Sequence, residues 1–106
     1  MSTHWHDVLL KLGSMGYPVY ANWSMSNGSE FLFAIPPATM VEDDSFSSAV
    51  EFPFTFGEIR EIEVFRAIGS GACELTNNLE EVYVKISATP GLTITAGPDR
   101  ITISEK

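Results

Sequence analysis

Hydrophobic residues recur with two different periods along this chain, and each period predicts a different element. Near the amino terminus they fall at i, i+3, i+4 and i+7, which places them on one stripe of a helix over residues 4–14. Gly13 and Gly16 follow the stripe and end the helix. The residues of the stripe are Trp5, Val8, Leu9 and Leu12.

The stretch around Asn27-Gly28 predicts a β-hairpin. A two-residue loop would scatter the large apolar side chains over both faces of the hairpin. A three-residue loop formed by residues 26–28, with Gly28 in the left-handed conformation, places them on one face instead. The predicted partners are Trp23 with Phe31, Ala21 with Phe33 and Val19 with Ile35.

Alternation with period two predicts further strands in the second half of the chain. Pro53 indicates that the first of them is an edge strand. A two-residue turn at Pro98-Asp99 joins the last two and pairs Ala96 with Ile101 and Ile94 with Ile103. The predicted strands are 51–56 (EFPFTF), 82–87 (VYVKIS), 92–96 (LTITA) and 101–104 (ITIS).

The segment 56–66, FGEIREIEVFR, fits a helix or a strand. Thr55 and Glu58 match a capping box, which favours a helix. The apolar residues would spread around more than half of that helix and most are β-branched, so we predict a strand over residues 59–66. Because neither face of the strand is purely apolar, we expect it at the margin of the sheet.

These elements predict an α+β fold, with one N-terminal helix packed on a twisted, mainly antiparallel sheet of about six short strands. The 106 residues fit a single domain. Residues 36–49 are a mainly polar connection that we expect to be mobile.

Negative charge is concentrated in the middle of the chain. The net charge is −8, and residues 42–81 contain ten acidic residues against two arginines, which accounts for all of it. The remaining four acidic and four basic residues cancel. This distribution predicts an acidic face that repels phosphate backbones and attracts a basic partner.

Candidate catalytic and metal-binding residues are few. His4 and His6 are expected to face solvent on the first helical turn, and no further histidine completes a zinc site. Cys73 stands beside Glu74, which disfavours a reactive thiolate. We therefore predict no enzyme activity, no cofactor and no metal. No apolar run is long enough to span a membrane and the amino terminus lacks the features of a secretory signal, so we expect a cytoplasmic protein.

A domain of this kind is predicted to act by binding. The leading hypothesis is an inhibitor of the immunity or anti-defence type that blocks a basic surface of a partner protein, such as a nuclease or a nucleic-acid-binding complex. The predicted contact residues are Glu42, Asp43, Asp44, Phe46, Glu58, Glu61, Glu63, Glu80 and Glu81.

The alternative hypothesis is a structural subunit, such as a virion component or a homo-oligomer. Its copies would join through an edge strand, either 51–56 or 101–104. Salt separates the two hypotheses, because binding to a basic partner weakens as salt rises.

Overall fold

Two helices cover one face of a five-stranded antiparallel sheet in the computed structural model, which describes residues 4–42, 45–46, 54–69 and 75–105. The α+β prediction is confirmed. The helices are α1 (His4–Gly13) and α2 (Leu79–Ile86), and the strands are β1 (Tyr20–Met25), β2 (Glu30–Ala34), β3 (Ser45–Phe46), β4 (Phe54–Thr55), β5 (Ile59–Phe65), β6 (Ala67–Ile68), β7 (Leu75–Thr76), β8 (Leu92–Ala96) and β9 (Arg100–Glu105). The main sheet has the order β2-β1-β5-β9-β8, while β3 pairs with β4 and β6 pairs with β7.

Helix α1 forms where its apolar stripe predicts it. All four residues of the stripe are buried in the core. The helix ends at Gly13, where a Cβ atom would lie only 2.5 Å from the carbonyl oxygen of Pro36. At its other end, the indole nitrogen of Trp5 donates a hydrogen bond of 2.7 Å to the carboxylate of Glu105. This bond ties the first turn of α1 to the last strand.

The first hairpin has the predicted register. Trp23 pairs with Phe31 and Ala21 with Phe33, and Gly28 has a φ of 90° in the three-residue loop. The rings of Trp23 and Phe33 stack with their centroids 4.7 Å apart. Aromatic packing on one face therefore selects this loop length over the shorter one.

Strand β5 is confirmed as a strand, but its predicted position at the margin of the sheet is wrong. It lies at the centre, between β1 and β9. Opposite the Ser24–Met25 step the register shifts by one, so Arg60 is the extra residue of a β-bulge. The bulge turns Ile59 into the core together with Ile62 and Val64.

The capping box that favoured a helix is present, but it closes only one turn. The Glu58 carboxylate accepts hydrogen bonds from the backbone nitrogen of Thr55 at 2.8 Å and from its hydroxyl at 3.1 Å. The turn is a 3₁₀ helix over Phe56–Glu58, and β5 begins directly after it.

The predicted strand over residues 82–87 is wrong, because this segment belongs to α2. Leu79, Val82 and Ile86 are buried at helical spacing, whereas Val84 is 78% exposed. The Asn78 side chain caps the helix by accepting a hydrogen bond of 3.2 Å from the backbone nitrogen of Glu81. Val82 and Ile86 fit the period of a strand as well as that of a helix. The Asn78 cap and the buried Leu79, three residues before Val82, favour the helix.

The last hairpin also has its predicted register, with Ala96 opposite Ile101 and Ile94 opposite Ile103. Residues 101–104, however, lie in β9 between β5 and β8, so their candidacy as a joining edge strand is contradicted. The outer strands of the sheet are β2 and β8. The other candidate edge strand is 51–56. Residues 51–53 lie outside the described structure, and Phe54–Thr55 form β4, which belongs to a separate two-stranded sheet. Within 36–49, residues Ala38–Met40 form a 3₁₀ turn.

A buried asparagine joins β1 to β5 at the end where their direct pairing stops. Asn77 is only 7% exposed. Its side-chain oxygen accepts from the backbone nitrogen of Tyr20 at 2.9 Å. Its side-chain nitrogen donates to the carbonyl oxygens of Tyr20 at 2.9 Å and Phe65 at 2.7 Å. Asn77 thus satisfies three part-buried backbone groups at the point where β1 and β5 no longer pair directly.

Candidate binding face

The side of the sheet turned away from the helices carries two rows of mainly polar side chains. We call this side the outer face. Each row crosses all five strands, and the strand registers make its five residues cross-strand neighbours. The first row is Glu30, Ser24, Glu61, Ser104 and Thr93, and the second is Leu32, Asn22, Glu63, Thr102 and Thr95.

Two carboxylates of the outer face already have partners. Glu30 accepts a hydrogen bond of 3.0 Å from the side-chain amide of Asn22. Glu63 forms an ion pair of 3.1 Å with Arg100. The Arg100 guanidinium also lies 5.0 Å from the centre of the Phe65 ring. The hydrogen bond with Glu63 is the main cause that raises the pKa of Arg100 above its ordinary value.

Glu61 differs from these two carboxylates. It is half-buried at the centre of the face, where Ser24 and Ser104 are its cross-strand neighbours. Its carboxylate makes no hydrogen bond and no ion pair with the described residues. Glu63 lies about 6.6 Å further along the same strand and Glu30 about 10 Å away across β1. A cation placed at Glu61 would therefore be attracted mainly by Glu61 and Glu30, because Arg100 already neutralises Glu63.

An apolar notch adjoins these carboxylates. Leu32 is 56% exposed on β2. Together with Asn22, Phe65 and the two residues of β6 it lines a cavity of about 320 Å³. The outer face thus combines an acidic centre with a recess that could accept an apolar side chain.

The other predicted contact residues do not share this face. Glu80 lies on α2, where the Arg66 guanidinium contacts both of its carboxylate oxygens, at 3.0 and 3.2 Å. These hydrogen bonds are the main cause that lowers the pKa of Glu80 below its ordinary value. Glu81 follows at the cap of α2. Burial, and then the Glu81 carboxylate, raise the pKa of Tyr17.

The remaining predicted residues lie near the short strands or outside the described structure. Glu58 is held in the capping box with Thr55. Glu42 is exposed, and its backbone nitrogen donates to Ser45. Phe46 lies in β3. Asp43 and Asp44 fall outside the described residues, as does Cys73.

Of the predicted contact residues that the structure describes, only Glu61 and Glu63 therefore lie together on the outer face. Sequence reasoning missed Glu30, Leu32 and Arg100 there. The two hairpin registers contained the signal, because they assign these residues to the polar side of their strands. The two hairpins form one continuous face only because β5 lies between them, and the sequence did not indicate this position of β5.

The two histidines are more buried than expected. The His6 ring lies against Phe56 with the ring centroids 6.2 Å apart, and the His4 ring contacts the backbone of Gly91, leaving no room there for a side chain. Within the described ranges, no three His, Cys, Asp or Glu side chains lie close enough together to hold a metal ion.

No protein-family model matches this chain, and no curated protein or solved structure shows significant similarity to it. Neither of the helices found in the described residues has the length and apolar character needed to cross a membrane.

Proposed function

We propose that this chain is a small, acidic, non-catalytic binding protein that inhibits a partner by covering a basic surface on it. An immunity or anti-defence protein acting in the cytoplasm on a nuclease or a nucleic-acid-binding complex fits this description. The observation that supports the proposal is the Glu61 carboxylate at the centre of the outer face, which makes no hydrogen bond and no ion pair with the described residues. The apolar notch lies further along the same face, next to Asn22 and Phe65.

An arginine is the partner side chain that suits Glu61 best. Its planar guanidinium donates two parallel hydrogen bonds to one carboxylate, and it is weakly hydrated, so it enters a half-buried position at a lower cost than lysine. An apolar partner side chain seated beside Leu32 and Phe65 would supply the buried contact that slows dissociation. The same acidic face repels nucleic acid, because phosphate backbones carry like charge.

The proposal is tested by neutralising one carboxylate at a time. Glu61→Gln removes one negative charge from the outer face, and Asp7→Asn removes one from the exposed side of α1, as a matched control. Both variants and the wild type are used to capture proteins from the native host, and the affinity of each captured basic protein is then measured with purified components. We expect Glu61→Gln to weaken binding roughly tenfold, or by about 1.4 kcal/mol, and Asp7→Asn to leave it unchanged. A captured partner that binds both variants equally well would contradict the proposal.

A further inference from the structure

Strand β8 is an edge strand without the usual protection against pairing. Its sequence, LTITA, contains no charged residue and no proline. In the described part of the chain it pairs only with β9. Strand β2, at the opposite edge, begins with the charged residue Glu30, which discourages the addition of a strand, whereas prolines flank both edge strands alike. The two edges of the sheet therefore differ in their readiness to pair.

Apolar surface continues from β8 onto the helix layer. Ile94 faces the core but remains partly exposed, and Ala96 is exposed. Tyr83 on α2 is 40% exposed and lines a cavity of about 190 Å³ together with Ala96 and Gly97. A strand added beside β8 would cover Ile94 and would meet this surface at the end of the strand.

We infer that β8 pairs antiparallel with β8 of a second copy of this chain, in a register centred on Ile94. Leu92 then lies opposite Ala96 of the second copy, Thr93 opposite Thr95, and Ile94 opposite Ile94. Each pair joins residues of the same face, so the helices of both copies lie on one side of a continuous ten-stranded sheet. The two chains each carry a net charge of −8, and this pairing brings them together along a strand that has no charge.

The pairing closes after two copies. A twofold axis uses β8 of both copies at once and leaves the two β2 strands at the outer edges, where the charge of Glu30 opposes further addition. The outer faces of both copies point to the same side. Five strand spacings separate the two Glu61 residues, which gives about 24 Å. A dimer would therefore present two acidic centres to one basic surface, and the bivalent contact would bind more tightly than a single one.

Charges introduced across the interface provide the test. Thr93 and Thr95 are exposed on the outer side of β8, so Thr93→Lys with Thr95→Lys puts like charges opposite each other in the dimer. Thr93→Glu with Thr95→Glu likewise places two negative charges opposite each other. Light scattering after size exclusion should give twice the 11.6 kDa chain mass for the wild type and for Glu61→Gln, but the single mass for each double variant. An equal mixture of the two double variants should recover the dimer.

Three results would overturn the inference. They are a wild type that stays monomeric at millimolar concentration, a lysine variant that remains dimeric, and folded double variants that do not associate when mixed. Hydrogen exchange on the wild type tests the same contact without substitution, because the outward-facing amides of β8 should gain protection as the protein concentration rises. Absence of that gain at concentrations where light scattering reports a dimer would place the interface elsewhere.

Discussion

Asn77 shows how one side chain can replace a missing section of strand pairing. Between Tyr20 and Phe65 the two neighbouring strands are bridged by its amide group rather than by each other. The amide is suited to this role because it offers both an acceptor and two donors in one plane. A carboxylate of the same shape offers acceptors alone.

We expect Asn77→Asp to lower the free energy of unfolding by roughly 2–4 kcal/mol, because the buried carboxylate would leave two part-buried carbonyl oxygens without a donor and would be repelled by both. Asn27→Asp is the matched control. The oxygen of Asn27 only accepts, from the backbone nitrogen of Ser29 in the exposed turn, and an aspartate keeps that bond. Urea unfolding at neutral pH measures both changes, and equal losses for the two variants would refute the role assigned to Asn77.

Features of this kind were beyond the reach of sequence patterns. Nothing near Asn77 in the chain indicates that Tyr20 and Phe65 will lie beside it, since both contacts span long stretches of sequence. The β-bulge at Arg60 depends in the same way on the neighbouring strand. In a regular strand, residues 59 and 61 would share a face, and only the bulge separates Ile59 from Glu61.

At the scale of elements, α2 is tied to the end of the sheet by Arg66. This residue follows β5 and donates through its guanidinium to Glu80 on α2 and to the carbonyl oxygen of Pro98 in the last turn. Three elements that are distant in sequence meet at one side chain. Because both charged groups are exposed, the ion pair is expected to orient α2 more than to stabilise the fold.

The pKa of Glu80 provides a direct measure of this contact. The pKa lies below its ordinary value because Arg66 donates hydrogen bonds to the Glu80 carboxylate. The small contribution of this exposed pair to stability is therefore present at neutral pH and is lost as the pH falls through the folded-state pKa. Arg66→Gln should raise the pKa of Glu80, observed by carbon NMR titration. Arg100→Gln, which breaks the ion pair with Glu63 instead, should leave the pKa of Glu80 unchanged. A Glu80 pKa insensitive to Arg66→Gln would show that the ion pair does not persist in solution.

Elements specified by local contacts were predictable from the sequence, whereas those decided by distant contacts were not. Helix α1 and both hairpins need only their own apolar pattern and turn residues, and their registers are as predicted. Helix α2 was mistaken for a strand because its three valine and isoleucine residues alternate. The central position of β5 could not be predicted, because each face of the segment carries both apolar and charged residues. Ile62 and Val64 are buried in the core of a sheet in which β1 and β9 flank them, and the segment itself does not indicate those neighbours.

At the scale of the whole molecule, the acidic middle of the sequence does not fold into one acidic face. Glu61 and Glu63 lie on the outer face, whereas Glu80 and Glu81 lie on α2 in the helix layer. Arg66 neutralises Glu80, and Arg100 neutralises Glu63. The outer face keeps its negative character through Glu61 and Glu30. The proposed partner contact is therefore narrower than the charge distribution along the chain suggested.

The two proposed associations respond to salt in opposite directions, and this contrast separates them. Binding of a basic partner to the outer face gains from attraction between unlike charges, so added salt should weaken it. Pairing of β8 brings together two chains of net charge −8, so screening of their repulsion should strengthen it.

Raising sodium chloride from about 0.05 M to about 0.5 M shortens the screening length several-fold, which makes the difference measurable. Light scattering should show the dimer fraction rising over this range, while calorimetric titration with the captured partner shows a weaker affinity. Glu61→Gln should flatten the salt dependence of partner binding and leave that of dimer formation nearly unchanged, because Glu61 is remote from β8. If both associations weakened with salt, the interface between copies would involve attraction between charges, and the assignment to the uncharged strand β8 would be wrong.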